Sequence, residues 1–386
     1  MIKNIIIYFI IIKKHKIMFL LLNAFRGYYS NNDFFNNFAN VLEYVPTIND
    51  KIENQSINDN DEIIKCVKSF IEKNISDCQV NTNKVIISLS GGVDSMVLAT
   101  ILKHLGYFVI GAHINYNNRK ETADEQKFLE QWCYNNDIYL YTKVITSIKR
   151  GVTKRTDYEI ESKNIRFDFY KEVMSKENSN YIMLAHHKDD IVENIFANVC
   201  RGRYILNLAV IKEKSIINDV MIMRPLIELY KSSIYEFSEK YQVPYFKDTT
   251  PEWSVRGKYR NNIYPMLEDT FSKNVKENLI GLSKQSYDWN ELVSNVIIDP
   301  FMEKITYHSS YCIFNVEDYN LHPLCFWNVV LMNIFYKYGK NCPSRKGIQT
   351  FMNNIQTKNV CFISLSNSCV CRNKNYEITI EFKLQI

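Results

Sequence analysis

Short apolar runs alternate with longer segments of helical periodicity through the middle of the chain. Apolar residues that suit buried strands lie at positions 85–89, 107–114, 138–144, 181–185 and 220–223. Segments with helical patterns separate and follow them, at positions 96–105, 121–135, 157–173, 189–200 and 231–241. Strands that alternate with helices predict an α/β fold with a doubly wound parallel sheet. Ligands of such sheets bind at the carboxyl ends of the strands.

The pattern changes towards both ends of the chain. From about residue 272 the sequence has helical periodicity and many aromatic residues, and positions 360–386 hold two strand-like runs. This change predicts a smaller C-terminal α+β domain. We therefore predict an N-terminal extension at 1–60, a catalytic domain at 61–270, and a helical connector with a small domain at 271–386.

The N-terminal extension admits two interpretations. An apolar run at 1–12 precedes the basic residues 13–16 and a second apolar run at 18–22. Neither run reaches the roughly 18 apolar residues of a membrane-spanning helix, so we expect no membrane association. The segment is either a signal or organelle-targeting extension, or sequence upstream of a start near Met18. The Asn-rich and acidic stretch up to residue 60 predicts weak order.

Composition narrows the functional class only slightly. The 386 residues are 46% hydrophobic, enough for sizeable cores. The net charge of +5 arises from 47 basic and 42 acidic residues, so contact with nucleic acid must come from local patches. Ten scattered cysteines form no Cys-x-x-Cys pair, which argues against a zinc ribbon or a thioredoxin-like motif. Free thiols fit a reducing compartment, the cytoplasm in the simplest case.

A glycine-rich turn follows the first predicted strand and opens a helix. Gly91 and Gly92 allow the backbone to approach an anion, and the exposed amides at the helix start favour negative charge. Ser90 and Ser95 add hydroxyl groups, and Asp94 is suited to hold a magnesium ion. No lysine follows the glycines, so this is not a Walker loop. The sequence predicts a phosphate site here, the alternative being an ordinary turn.

Polar segments follow two other predicted strands. His187, Asp190 and Glu193 recur every three residues at a helix start, a group that can hold magnesium, orient an amine or take a proton. Burying carboxylates that have no cationic partner costs free energy, so their presence here favours a functional site over a packed core. His113 and Arg119 follow the second strand, where they either face a ligand or cap a loop.

These segments resemble the tRNA(Ile)-lysidine synthetase family of the PP-loop ATPase superfamily, whose fold is adenine nucleotide alpha hydrolase-like. The family's Ser-Gly-Gly-x-Asp-Ser loop is matched at 90–95, and its Leu-Ala-His-His-x-x-Asp-x-x-Glu motif at 184–193. Tyr116 replaces the second His of the His-x-Asn-His-x-x-Arg segment, and Lys231 stands where the family usually has Arg. The resemblance spans roughly residues 83–267.

The resemblance implies roles for individual residues. ATP and magnesium are the expected cofactors, with magnesium near Asp94 and Asp190. The expected ATP-binding residues are Ser90, Gly91, Gly92, Val93, Asp94, Ser95, His113 and Arg119. The expected catalytic residues are Asp94, His187, Asp190 and Glu193. Phosphates of ATP or RNA would meet Arg166, Arg224, Arg256 and Arg260. For the last three arginines a solvated basic face is the alternative.

The resemblance also implies a reaction. The wobble cytidine in the anticodon loop of tRNA(Ile) is adenylated by ATP, and free lysine then displaces AMP to give lysidine. Arg203, Tyr204 and Asn207 replace glycines near the family's substrate, and Gly257 stands where Asn is usual. The accepting amine and the tRNA could therefore differ. Another PP-loop tRNA enzyme for 2-thiolation or amidation, and a non-catalytic RNA-binding relative, are the alternatives.

Overall fold

The computed structural model describes most of the chain after residue 32. The described residues are 33–46, 51–75, 83–148, 151–248, 250, 252, 254–356, 360–366 and 369–383. The targeting interpretation of the first residues lies outside this part of the chain. Two compact units result, one of Met1–Glu193 with Ile211–Lys276 and the other of Asn194–Val210 with Glu277–Ile386. The domain limits at 60 and 270 stay a prediction.

A six-stranded sheet forms the centre of the first unit, in the order β4-β3-β2-β5-β7-β6. Its strands are β2 (Lys84–Ser88), β3 (Phe108–Asn115), β4 (Tyr139–Val144), β5 (Ile182–Met183), β6 (Lys214–Ile217) and β7 (Val220–Met223). All neighbours are parallel except β6, which pairs antiparallel with β7. The predicted doubly wound sheet is confirmed, and its strand order reverses between β2 and β5.

The described part of the first unit also contains α-helices, most of which bury apolar residues. They are α1 (Asp33–Asn36), α2 (Glu62–Ile75), α3 (Val93–His104), α4 (Thr122–Asn135), α5 (Arg155–Lys176), α6 (Lys188–Cys200), α7 (Lys231–Lys240), α8 (Val255–Lys258) and α9 (Tyr264–Phe271). A π-helical turn, Tyr259–Ile263, joins α8 to α9. The strand residues Ile86 and Ile87 are fully buried on opposite faces, as expected of a sheet covered on both sides.

Part of the predicted N-terminal extension packs on the core of the first unit. Phe34 and Phe35 are each 7% exposed, and the ring of Phe34 stacks on that of Phe128 at 5.8 Å between centroids. Strand β1 (Leu42–Tyr44) pairs antiparallel with β8 (Tyr245–Phe246). This packing differs from the weak order expected there, because a few aromatic side chains outweigh the Asn-rich composition around them.

The second unit is an α+β domain, as predicted. Its helices are α10 (Val275–Val293, which begins at the unit boundary), α11 (Asp299–Met302), α12 (Leu324–Lys337) and α13 (Arg345–Ile355). Its antiparallel sheet has the order β11-β12-β13-β10-β9. These strands are β9 (Thr306–Tyr307), β10 (Tyr311–Asn315), β11 (Cys361–Ser366), β12 (Cys369–Lys374) and β13 (Glu377–Phe382). The two predicted strand-like runs are thus three strands, since a tight turn at Asn375 and Tyr376 divides the second run.

Among the helices in the described part of the chain, none is long and apolar enough to cross a bilayer. Cys369 and Cys371 are buried on one face of β12, because alternate residues of a strand point to the same side.

The glycine-rich turn is fixed by β8. The amide of Phe246 donates to the carbonyl of Gly91 at 2.9 Å, and a β-carbon at Gly91 would lie 2.0 Å from the Phe246 ring. Gly91 also has a φ of +84°. Both its conformation and the close ring require glycine.

Gly91→Ala should therefore destabilise the protein more than Gly106→Ala, by about 1 kcal/mol or more from overpacking. Gly106 is the matched control, because its φ is +82° but nothing lies within 4 Å of its β-carbon position. The measurement is the midpoint of urea unfolding for both variants. Equal midpoints would show that the Phe246 ring does not confine the turn.

Candidate active site

A cavity of about 900 Å³ opens at the carboxyl ends of β2, β3 and β5 in the first unit. It lies beside the reversal of strand order, where doubly wound sheets bind ligands. Most of the predicted site residues line it, namely Ser90, Gly92, Val93, Asp94, Ser95, His113, Arg119, Arg166, His187, Asp190, Arg256 and Arg260. Gly91, Glu193 and Arg224 do not. The structure thus brings most of the predicted residues together in one cavity.

The glycine-rich turn forms a compact anion cradle. The hydroxyls of Ser90 and Ser95 are 3.0 Å apart, and the Ser95 hydroxyl donates to the carbonyl of Gly92 at 3.0 Å. The amide of Gly92 donates to the Ser90 hydroxyl at 3.3 Å. Helix α3 begins at Val93, so its first amides have no intrahelical acceptor. Such a helix start favours a phosphate.

Asp94 is held by a lysine that the sequence analysis did not assign to the site. The Nζ of Lys231 lies 2.7 and 2.6 Å from the two carboxylate oxygens of Asp94. Both side chains are about one-quarter exposed and line the cavity. The amide of Lys231 donates to Asp189 at 2.8 Å, which fixes the start of α7. A cation therefore already occupies the carboxylate that was expected to hold magnesium.

His187 lies at the centre of three carboxylates. Its Nε2 is 3.6 Å from Asp94 Oδ1 and 3.5 Å from Asp190 Oδ2, and its Nδ1 is 3.6 Å from Asp189 Oδ2. The amide of His187 donates to Asp190 at 3.0 Å. The imidazole is almost fully buried, so its neighbours are fixed by packing.

Asp189 and Asp190 stay ionised despite their burial. Burial alone would raise the pKa of Asp189, but His187 and the Lys276 ammonium, 2.5 Å away, hold that pKa well below its usual range. Burial likewise opposes ionisation of Asp190, and the neighbouring histidines and the Arg256 guanidinium, 3.8 Å away, lower its pKa. Both groups are therefore carboxylates at neutral pH, suited to bind a cation.

Glu193 lies behind the cavity wall and is clamped by two arginines. The Nε of Arg260 donates to Glu193 Oε1, and the Nε of Arg256 lies 3.3 Å from Oε2. Arg256 also approaches Asp190 at 3.8 Å, and Arg260 approaches Asp248 at 3.5 Å. Arg256 and Arg260 thus form ion pairs at the site, where a solvated basic face was the alternative.

His113 and Arg119 both reach the cavity. The Nδ1 of His113 donates to the carbonyl of Leu89 at 2.9 Å, and burial lowers the pKa of His113. A neutral His113 therefore carries its free lone pair on Nε2. Arg119 forms an ion pair with the buried Glu125, so its charge is already partly compensated.

The remaining two predicted arginines differ in position. Arg166, on α5, lines the cavity, and its guanidinium lies 5.8 Å from the ring centroid of Phe167. Arg224 is only 3% exposed and is absent from the cavity wall. Its Nη1 donates to the Lys212 carbonyl at 2.6 Å and to the Ser215 hydroxyl at 2.9 Å. The expectation that Arg224 meets phosphates of ATP or RNA is not supported by this position.

Other residues of the site escaped the sequence analysis. They are His186, Asp189, Lys231 and Asp248, all contributing to the cavity or its ion pairs. His186 and Asp189 were visible as neighbours of the predicted motif. Lys231 was noted only as a replacement for the family's usual Arg, because its partner Asp94 is 137 residues away in sequence and no local pattern shows the pair.

A comparison with protein families agrees with this geometry. A family model described as a PP-loop domain (ATP_bind_3) matches residues 60–267, more than half of the chain. The chain belongs to this PP-loop family. The predicted superfamily is confirmed, and the cavity belongs to an ATP-binding domain.

Two relatives point to one family within the PP-loop superfamily. The tRNA(Ile)-lysidine synthase of Chlamydia pneumoniae is 26% identical over 291 residues, covering 74% of this chain and 89% of the relative. The tRNA(Ile)-lysidine synthase of Enterococcus faecalis is 30% identical over 190 residues, covering 48% of this chain and 40% of the relative. The resemblance to this family is therefore confirmed.

A solved structure shares only part of the architecture. The U34-tRNA thiolase NcsA from Methanococcus maripaludis is 19% identical, covers 58% of this chain and 79% of its own, and has a TM-score of 0.46.

Replacement of Arg260 by Met should destabilise the protein by about 2 kcal/mol, because Glu193 would remain buried without its main partner. Arg256→Met is the matched control. Its side chain is 60% exposed, so its loss should change the free energy of unfolding by at most about 0.5 kcal/mol. Denaturant unfolding of both variants measures this. A larger effect at Arg256 would contradict the assigned clamp.

Proposed function

We propose that this chain is a tRNA(Ile)-lysidine synthase, which uses ATP to adenylate the wobble cytidine of tRNA(Ile) and then joins lysine to it. One observation carries the proposal. The anion cradle at 90–95 and the carboxylates around His187 face the same cavity. Phosphate binding and the handling of an amine can therefore occur side by side.

In the first step, the cytidine carbonyl oxygen attacks the α-phosphorus of ATP. The new bond is C–O–P, the bond to the β-phosphate breaks, and pyrophosphate leaves with its electron pair. The amides at the start of α3 and the hydroxyls of Ser90 and Ser95 hold the phosphates. Lys231, already beside the cradle, neutralises charge on the departing pyrophosphate.

In the second step, the ε-amine of free lysine attacks the activated carbon. The new bond is C–N, the C–O bond breaks, and AMP leaves. The amine must lose protons, and the Asp190 carboxylate and the His187 imidazole, which line the cavity, are the groups placed to accept them. Glu193 orients the amine once Arg256, whose side chain is 60% exposed, moves aside.

Magnesium is part of this proposal. Asp94 and Asp190 approach the same nitrogen of His187, and two carboxylates together with phosphate oxygens and water suit this ion. Within the described residues no cluster of three or more His, Cys, Asp or Glu side chains could hold a metal. Bound there, magnesium would neutralise charge that builds up on the phosphates.

The cellular setting is also proposed. The nine cysteines in the described part of the chain are free thiols, which suits the cytoplasm. An organelle is the alternative if the N-terminal segment is a targeting sequence. The same cysteines offer no metal-binding cluster in the described residues to support the thiolation alternative.

Purified protein, ATP, magnesium, labelled lysine and tRNA should yield a lysidine nucleoside that mass spectrometry of digested tRNA detects. Asp94→Asn should reduce the yield about a hundredfold, because it removes a carboxylate that would hold magnesium beside the phosphates. Asp219→Asn is the control, since this side chain is 92% exposed and lies away from the cavity. Turnover of ATP with tRNA but without lysine incorporation would overturn lysine as the acceptor.

Lys231→Met should lower the magnesium concentration needed for half-maximal lysidine formation at saturating ATP. Lys231 and magnesium compete for Asp94, and a partly exposed ion pair of about 1 kcal/mol corresponds to about a fivefold shift. Lys188→Met is the control, because its ammonium lies 3.9 Å from Glu228 and away from Asp94. A higher magnesium requirement in Lys231→Met would contradict the competition.

A further inference from the structure

Arg224 donates one of its hydrogen bonds to a histidine that lines the active site. Its Nε donates to Nδ1 of His186 at 3.1 Å, and its Nη1 is held by Lys212 and Ser215. The guanidinium is 3% exposed, so packing fixes these directions. Burial lowers the pKa of Arg224 to about 10, which still leaves it protonated at neutral pH.

This bond determines where the proton of His186 lies. An arginine side chain can only donate, so Nδ1 of His186 must accept and carry a lone pair. A doubly protonated imidazole has no acceptor nitrogen, so His186 is neutral and its proton lies on Nε2. Burial lowers the pKa of His186 to about 4, in agreement with the neutral form.

The charged surroundings of His186 support the same assignment. Asp190 favours the protonated imidazole, whereas Arg224, Arg256 and His187 oppose it. Because His186 lines the cavity and its Nδ1 is committed to Arg224, Nε2 is the ring nitrogen left for a ligand.

We infer that Arg224 is a positioning residue that holds His186 as the neutral Nε2–H tautomer, so that His186 donates a hydrogen bond to an anionic oxygen of the bound nucleotide. This inference rests on the proposed function for the identity of the ligand. It replaces the expected contact between Arg224 and phosphate. A neutral donor fixed in direction stabilises charge on a phosphate oxygen without giving up its proton.

Two substitutions of His186 separate this role from general packing. The side-chain amide of Gln reaches the position of Nε2, whereas that of Asn reaches the position of Nδ1. His186→Gln should therefore retain about tenfold more adenylation activity than His186→Asn, whose loss should approach a hundredfold. Equal loss in both variants would overturn the donor role.

Arg224→Met tests the positioning. It should lower kcat about tenfold, as loss of a partner behind a functional histidine does, and leave KM for ATP within about twofold. Arg224→Lys should restore part of kcat by donating to the same nitrogen. A large rise in KM with unchanged kcat would instead identify Arg224 as a phosphate ligand and overturn the inference.

The tautomer itself can be observed in the unaltered protein. Nitrogen-15 NMR of ring-labelled histidines distinguishes a protonated from an unprotonated ring nitrogen, and the chain has 7 histidines, so the His186→Gln spectrum assigns the signal. We expect a protonated Nε2 and an unprotonated Nδ1 at neutral pH. A protonated Nδ1 would refute the inference even if lysidine is formed. Absence of lysidine with the expected tautomer would refute only the proposed function.

Discussion

Carboxylates gathered at one edge of a sheet require compensating cations, and this requirement organises the site. Asp94 is paired with Lys231, Asp189 with Lys276, and Glu193 with two arginines. Each pair joins segments that are far apart in sequence, so the cradle, α6, α7 and the segment around α8 are tied together by charge. A buried carboxylate that lost its partner would cost several kcal/mol. The site is therefore ordered before any ligand binds.

The same pairs explain how the site can respond to substrates. ATP brings negative charge to a place where Lys231 and Arg256 are partly exposed, so these cations can turn from carboxylates to phosphates. The carboxylates released in this way would then be available to the magnesium ion and the lysine amine of the proposed function. Binding would thus exchange partners within a balanced set of charges, which costs less than burying new charge.

Local patterns in the sequence predicted much of this arrangement. The strand expected at 85–89 is Lys84–Ser88, and the helix expected at 189–200 is Lys188–Cys200. Apolar periodicity and the glycine turn are local features, so they can be recognised in a single sequence. The burial of Phe34, the Lys231 pair with Asp94, and the turning of Arg224 towards His186 depend on residues far apart. No local pattern reveals such contacts, so the sequence alone did not show that Arg224 is buried against His186.

The central claim is that this cavity activates the RNA base, with lysine arriving second. It is tested most directly by exchange of labelled pyrophosphate into ATP, with tRNA and lysine each supplied alone. We predict exchange with tRNA in the absence of lysine, because adenylation of the base is the reversible first step. Exchange with lysine in the absence of tRNA would mean that the carboxylate of lysine is adenylated, and would contradict the account.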